Sequence, residues 1–149
     1  MYKRILVPLD GSKRAERILP FVEDLANVHE GTVIFLQVIE SPTYVSGPYD
    51  AGIYYDQSNT EQTIKDAKLY LNALVGELRE KGISARCEVD FGPVVRAILE
   101  VAAREQVDLV AMASHGRTGM ARVFYGSVAA GVMQQTDRPL LLIRAGNGA

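Results

Sequence analysis

The chain has 149 residues, of which 48% are hydrophobic and 23% charged, and its formal net charge is −2. This length fits one domain, residues 1–149, with a hydrophobic core of its own. The near balance of charges gives no general attraction to nucleic acid or to an anionic membrane surface, and the apolar runs are much shorter than the roughly 20 residues of a membrane-spanning helix.

The start of the chain and its cysteine content bear on location. Residues 1–8 are too short in their apolar part for a signal peptide and lack a small-residue cleavage site, so we expect them to hold the first strand. Cys87 is the only cysteine, which excludes an internal disulfide and favours a reducing, cytoplasmic compartment. Because Cys87 alternates with the polar residues Arg86 and Glu88, we expect its thiol to be a small buried apolar group.

Along the chain, apolar runs that predict strands alternate with stretches at helical spacing. The predicted elements are a strand at 5–9, a helix at 13–28, a strand at 32–39, a loop at 40–58, a helix capped by Asn59 or Thr60 and ending at Lys81 and Gly82, a strand at 83–89, a helix opened by Gly92 and Pro93, a strand at 107–113, a connection at 114–125, a helix at 126–135 and a strand at 139–144. The loop at 40–58 carries four tyrosines, and its length is typical of a lid or binding loop.

Alternation of this kind predicts an α/β fold, a single-domain open parallel sheet with helices on both faces and right-handed crossovers. If the first and fourth strands are neighbours, the strand order is 3-2-1-4-5. The turns that follow these two strands then face one crevice at the carboxyl ends of the sheet, where ligands bind in such folds.

The turn after the first strand contains Asp10, Gly11 and Ser12. One interpretation is that the Asp10 carboxylate accepts a hydrogen bond from a ribose hydroxyl or an adenine amino group. The other is that Asp10 only closes a turn onto Gly11 while Ser12 caps the next helix. Val38, near the end of the second strand, would offer its backbone groups to a base edge, although a valine in that place is equally typical of the core.

The turn after the fourth strand contains Gly116 and Gly119, and Gly126 and Ser127 stand at the start of the last helix. Glycines let backbone N–H groups approach an anion closely, and the free N–H groups at a helix N-terminus favour phosphate oxygens. Each glycine alone is explained by a turn, and Ser127 alone by capping. Taken together they favour an anion site.

Charged and titratable residues near that turn add little chemistry of their own. Arg117 and Arg122 supply positive charge, and His115 is either a proton donor or phosphate contact or simply solvated. The two histidines, His29 and His115, and Cys87 do not make a zinc site at familiar spacings. The sequence also lacks the P-loop motif, the dinucleotide glycine motif and the nucleophile elbow of serine hydrolases.

At this point the sequence resembles the universal stress protein family over essentially its whole length. The opening from Ile5 to Ser12 is similar to the first strand and turn of the family, and the strand from Pro139 to Arg144 to its last. The ATP-binding members carry G-x2-G-x9-G-[ST], and in that register Ala113, Gly116, Gly126 and Ser127 occupy the motif positions. Ala113 departs from the first glycine, which the ordinary extended angles of a strand end tolerate.

The resemblance implies a set of residues around an adenine nucleotide. Asp10 and Val38 would contact the adenosine half, Met112 and Ala113 would lie along the ribose or α-phosphate, and the later glycines, Ser127 and Val128 would present donors to the phosphates. The full set of expected binding residues is Pro8, Leu9, Asp10, Ser12, Val38, Met112, Ala113, Ser114, His115, Gly116, Arg117, Gly119, Gly126, Ser127 and Val128.

The resemblance also implies partners and a function. The ligand would be ATP, or AMP or ADP, with Mg²⁺ or Mn²⁺ bound through its phosphates, and two copies would pair through the strand from Leu140 to Ile143. We expect a regulatory protein whose nucleotide controls binding of an unidentified protein partner. A slow ATPase or phosphoryl-transfer enzyme using His115 or Asp10, and a dimeric scaffold without nucleotide, are the alternatives.

Overall fold

The computed structural model describes residues 1–40, 57–114 and 126–145. Strands and helices alternate through these residues. They are β1 (Arg4–Pro8), a 3-10 turn (Ala15–Ile18), α1 (Leu19–His29), β2 (Thr32–Ile39), α2 (Gln57–Glu80), β3 (Ser84–Phe91), α3 (Val94–Arg104), β4 (Leu109–Ser114), α4 (Gly126–Gln135) and β5 (Leu140–Arg144).

The strands form a five-stranded sheet in the order β3-β2-β1-β4-β5, and all four pairings are parallel. The central strand β1 lies between β2 and β4, with Ile5 level with Val33 on one side and with Leu109 on the other. The predicted strand order, and with it the adjacency of the first and fourth strands, is therefore confirmed.

The strands of the sheet send alternate side chains to two separate cores. Ile5, Val7, Val33 and Phe35 pack with α1 and α2 on one face. Leu6, Ile34, Leu36, Val110 and Met112 pack with α3 and α4 on the other. This two-residue alternation is what a pleated strand imposes, and it confirms the prediction of helices on both faces.

Most element bounds differ from the predicted ones by one or two residues, but two helix starts need correction. The first helical segment begins as the 3-10 turn Ala15–Ile18, and α1 starts only at Leu19. Asn59 and Thr60 do not cap α2, because the helix already begins at Gln57 and contains both. Without glycine or proline between 53 and 59, nothing in the local sequence stops the helix from starting earlier. The remaining predicted loop, 41–56, lies outside the described residues.

One edge of the sheet, β3, carries a network of charged side chains. Arg86 Nη2 lies 2.6 Å from Glu105 Oε2, and Arg104 Nη2 lies 2.9 Å from Glu88 Oε2. The hydrogen bond from Arg86 is the largest of the effects that lower the pKa of Glu105 to about 2. This network ties the carboxyl end of α3 to the edge strand.

Cys87 lies on the same edge strand and is partly exposed, not fully buried as the sequence predicted. Its thiol packs against the core shared with α1 and α2, and its Sγ lies 3.6 Å from Asn72 Oδ1. The reason is topological, since an edge strand is covered on only one side by a neighbour. Within the described ranges, none of the helices is both long enough and apolar enough to cross a bilayer.

Candidate functional site

The carboxyl ends of β1, β2 and β4 open onto a cavity of about 310 Å³. Helices α3 and α4 and the turn after β1 supply its remaining walls. The described residues that line it are Pro8, Leu9, Asp10, Arg14, Ala15, Leu36, Val38, Glu40, Val94, Ile98, Met112, Ala113, Val128 and Ala129. A volume near 300 Å³ is at the lower end of the range for small-molecule sites.

Asp10 is held by the turn that follows β1. Its Oδ1 accepts hydrogen bonds from the Ser12 amide at 2.9 Å and from the Ser12 hydroxyl at 2.6 Å. The Ser12 hydroxyl in turn accepts a hydrogen bond from the Ala15 amide at 3.1 Å. The turn and the cap that the sequence offered as an alternative to a binding role are both present, and the same carboxylate also faces the cavity.

The second oxygen of Asp10 is less occupied. Arg14 Nη2 lies 3.3 Å from Asp10 Oδ2, and the Asp10 side chain is 57% exposed. Partial burial by itself raises the pKa of Asp10, but the hydrogen bonds from Ser12 and the charge of Arg14 outweigh it, so the pKa lies below its ordinary value. Near neutral pH this carboxylate is ionised and has acceptor capacity left on Oδ2.

The walls on either side of Asp10 are apolar. Leu36 and Val38 come from β2, and Met112 and Ala113 from β4. Opposite the strands, α3 and α4 contribute Val94, Ile98, Val128 and Ala129. An apolar slot with a few polar groups at its rim suits a flat aromatic ring that carries a polar substituent.

Helix α4 begins beside the same cavity. Gly126 is its first residue, is buried, and has a φ of +72°, a value that L side chains rarely adopt. Val128 and Ala129 from the first turn of α4 line the cavity together with Asp10. Asp10 and the N-terminus of α4 therefore lie on the same rim of the sheet, beside one cavity.

The structure brings seven of the fifteen predicted binding residues to the cavity wall. They are Pro8, Leu9, Asp10, Val38, Met112, Ala113 and Val128. Ser12 donates a hydrogen bond to Asp10, Ser114 is buried at the end of β4, and Gly126 and Ser127 are the first residues of α4. His115, Gly116, Arg117 and Gly119 lie outside the described residues.

Sequence reasoning missed two charged residues of the cavity, Arg14 and Glu40. Arg14 stands four residues after Asp10, but Asp10 precedes the helical segment, so helical spacing gave no signal for a contact between the two. Glu40 follows β2 directly, so the position of a polar residue just past a strand end was the signal there. In the described part of the chain, no group of three or more His, Cys, Asp or Glu residues is arranged to hold a metal ion.

The sequence and the fold of this chain are similar to those of known proteins. A model of the universal stress protein family matches residues 1–144. The curated universal stress protein MJ0577 of Methanocaldococcus jannaschii is 27% identical, with 99% of this chain and 98% of that protein covered. The solved structure of MJ0577 superposes with a TM-score of 0.82, covering 99% of both chains.

Two more distant solved structures share the fold. A universal stress protein from Archaeoglobus fulgidus in complex with dAMP is 22% identical, with a TM-score of 0.65 and 95% and 98% of the two chains covered. A universal stress protein in complex with cAMP is 19% identical, with a TM-score of 0.64 and coverages of 97% and 98%. Since the family model matches nearly the whole length, this chain belongs to the universal stress protein family.

Proposed function

We propose that residues 1–149 form one unit that binds ATP in the cavity between β1, β2, β4 and α4, and that the bound nucleotide regulates contact with a protein partner. The observation that carries this proposal is the convergence of an ionised, turn-held Asp10 and the N-terminus of α4 on one apolar cavity. The apolar cavity suits the adenine ring, the Asp10 carboxylate suits the ribose hydroxyls, and the N-terminus of α4 suits the phosphates.

The nucleotide would lie with its base in the apolar slot and its phosphates toward α4. The backbone of Val38 would meet the base edge, and Asp10 Oδ2 would accept a hydrogen bond from the ribose. The amides at the start of α4, including those of Ser127 and Val128, would donate to phosphate oxygens, because a helix N-terminus leaves its first N–H groups without partners. His115, Gly116, Arg117 and Gly119 stay predicted phosphate-side contacts.

The charge of the cavity argues for a cation with the phosphates. The charged residues among the described lining groups are Asp10, Glu40 and Arg14, which sum to one negative charge at neutral pH. Mg²⁺ or Mn²⁺ would supply the neutralisation by bridging phosphate oxygens. The ion would be held through the nucleotide.

Related structures support an adenine nucleotide as the ligand class. Two universal stress proteins with this fold are complexes with dAMP and with cAMP. Both ligands share the adenine ring and a phosphate with ATP but lack the triphosphate. The proposal of ATP in this chain therefore rests on the backbone donors expected at the start of α4, and AMP and ADP are the ligands to compare with it.

We further propose that two copies pair through β5 in the cytoplasm. This strand forms one edge of the sheet, its leucines and Ile143 are only partly buried, and an apolar edge strand recruits a partner strand. Sedimentation over the micromolar range is expected to show a dimer. Disruption by a proline at Leu142, which removes a backbone donor from the edge, is expected to give a folded monomer.

Titration calorimetry with ATP, ADP and AMP, each with and without Mg²⁺, tests the nucleotide proposal. Asp10→Asn should weaken ATP binding by about ten-fold, because it replaces a charged acceptor with a neutral one. Asp24→Asn is the matched control, since Asp24 is exposed on α1 away from the cavity. Absence of ATP binding at millimolar concentration would contradict the proposal and favour a scaffold without nucleotide.

A further inference from the structure

Arg14 occupies a position that the proposed nucleotide contacts leave unexplained. Among the cavity-lining residues that the structure describes, it is the sole cation. Its side chain is 34% exposed, and its guanidinium lies 3.3 Å from Asp10 Oδ2. Because this guanidinium contacts the carboxylate that lines the cavity, Arg14 acts on the site through Asp10.

The local backbone explains why Arg14 reaches Asp10. Arg14 precedes the 3-10 turn and already has helical angles, with φ −61° and ψ −47°. The turn from Asp10 to Arg14 brings the Arg14 guanidinium back to the Asp10 carboxylate, 3.3 Å from Oδ2. The Ser12 hydroxyl fixes the intervening chain by accepting the amide of Ala15 while donating to Asp10 Oδ1. Asp10 and Arg14 are therefore the two ends of one hydrogen-bonded turn.

The contacts of Asp10 divide between its two oxygens. Oδ1 receives both hydrogen bonds from Ser12, and among the described residues Arg14 is the contact of Oδ2. Ser12 alone would leave the carboxylate able to turn about the axis through Oδ1. A second contact on Oδ2 fixes the plane of the group, and a fixed plane sets the direction of the lone pair that remains on Oδ2.

We propose that Arg14 is a positioning residue that fixes the Asp10 carboxylate for recognition of ribose hydroxyls and thereby sets a preference for ribonucleotides. The inference rests on the proposed function, because it assumes an adenine nucleotide with its sugar at Asp10. A different role, as a phosphate contact, is disfavoured because Arg14 is engaged at the Asp10 turn while the phosphates belong at α4.

The test is the ratio of affinities for ATP and for 2′,3′-dideoxy-ATP, which lacks both ribose hydroxyls but keeps base and phosphates. The native chain should prefer ATP by about ten-fold or more, as expected for a hydrogen bond to a charged acceptor. In Arg14→Ala the preference should fall below about three-fold, with the loss confined to ATP. Arg14→Lys should retain most of it, because a single contact to Oδ2 is one that an ammonium also makes.

Controls separate this role from a structural one. Arg96→Ala removes an exposed arginine of α3 that does not line the cavity, and it should leave the ratio of affinities unchanged. The melting temperature of Arg14→Ala should equal that of the native chain. If Arg14→Ala binds ATP and the dideoxy analogue more weakly by the same factor, the proposal is overturned, and Arg14 contacts the phosphates or stabilises the fold. If the native chain binds ATP without discriminating against the dideoxy analogue, the nucleotide site stands and Arg14 positions nothing. If it binds neither, the proposed function itself fails.

Discussion

Substitutions at Gly126 test two reasons for a glycine at the start of α4: the conformation of its backbone, and the room that it leaves for the proposed phosphates. Its φ of +72° costs an alanine about 1–2 kcal/mol relative to glycine, and a β-branched valine more. Gly126→Val would place a side chain where the phosphates are proposed to bind. It would also strain the backbone, because a β-branched residue does not readily adopt a positive φ. Gly126→Ala and Gly126→Asn are the sharper pair, since asparagine accepts a positive φ far more readily.

We expect Gly126→Ala to lower the melting temperature by about 3–6 °C, as a loss of about 1–2 kcal/mol does in a domain near this size, and Gly126→Asn to lower it less. Both should weaken ATP binding at least ten-fold, because each places a side chain where the phosphates would approach the amides. Circular dichroism follows the unfolding, since the chain has no tryptophan, and calorimetry follows ATP. Two folded variants with affinities within three-fold of the native one would refute the placement of the phosphates at α4.

Three further outcomes are expected away from the ligand. Gly131→Val should destabilise by about 1–3 kcal/mol, because a Cβ at Gly131 would lie 2.7 Å from Val95 Cγ2; Val95→Ala in the same chain should restore part of the loss in urea unfolding. The lowered pKa of Glu105 stabilises the folded state above pH 4.5, the ordinary pKa of the group, and this stabilisation is lost as the pH falls from 4.5 toward about 2. The urea midpoint of the native chain should therefore fall over this pH range, and in Arg86→Ala it should fall less. Partial burial raises the pKa of the Cys87 thiol, so iodoacetamide should modify it more slowly in the native state than in urea; equal rates would show a freely accessible thiolate.

The fold was predictable because its rules act over short stretches of sequence. Apolar runs such as 32–39 specify a strand buried on both faces, and the alternation of strands with helical spacing specifies a parallel sheet. The neighbouring position of β1 and β4 followed from the position of the two unusual turns at strand ends. Start points of helices were less predictable, because Gln57 and Asn59 are both acceptable in the first turn of a helix.

The cavity was predictable only in part. Asp10, Val38 and Met112 could be placed there because each stands at or near a strand end. Glu40 could have been placed there for the same reason, since it directly follows β2. Arg14 could not, because its contribution depends on where a long side chain folds after the backbone is built. Gly126 was expected to matter for the space it leaves, whereas its φ of +72° makes the backbone itself the first reason for glycine.

The two edges of the sheet differ in a way that limits how copies of this chain can associate. An incoming strand at β3 would meet the arginine and glutamate side chains that tie α3 to it, and charged edges disfavour strand addition. In the proposed dimer, a contact through the apolar β5 edge, related by two-fold symmetry, would occupy the more apolar edge of each copy. Growth into open-ended fibrils would need both edges, so the ion pairs on β3 would oppose sheet polymerisation.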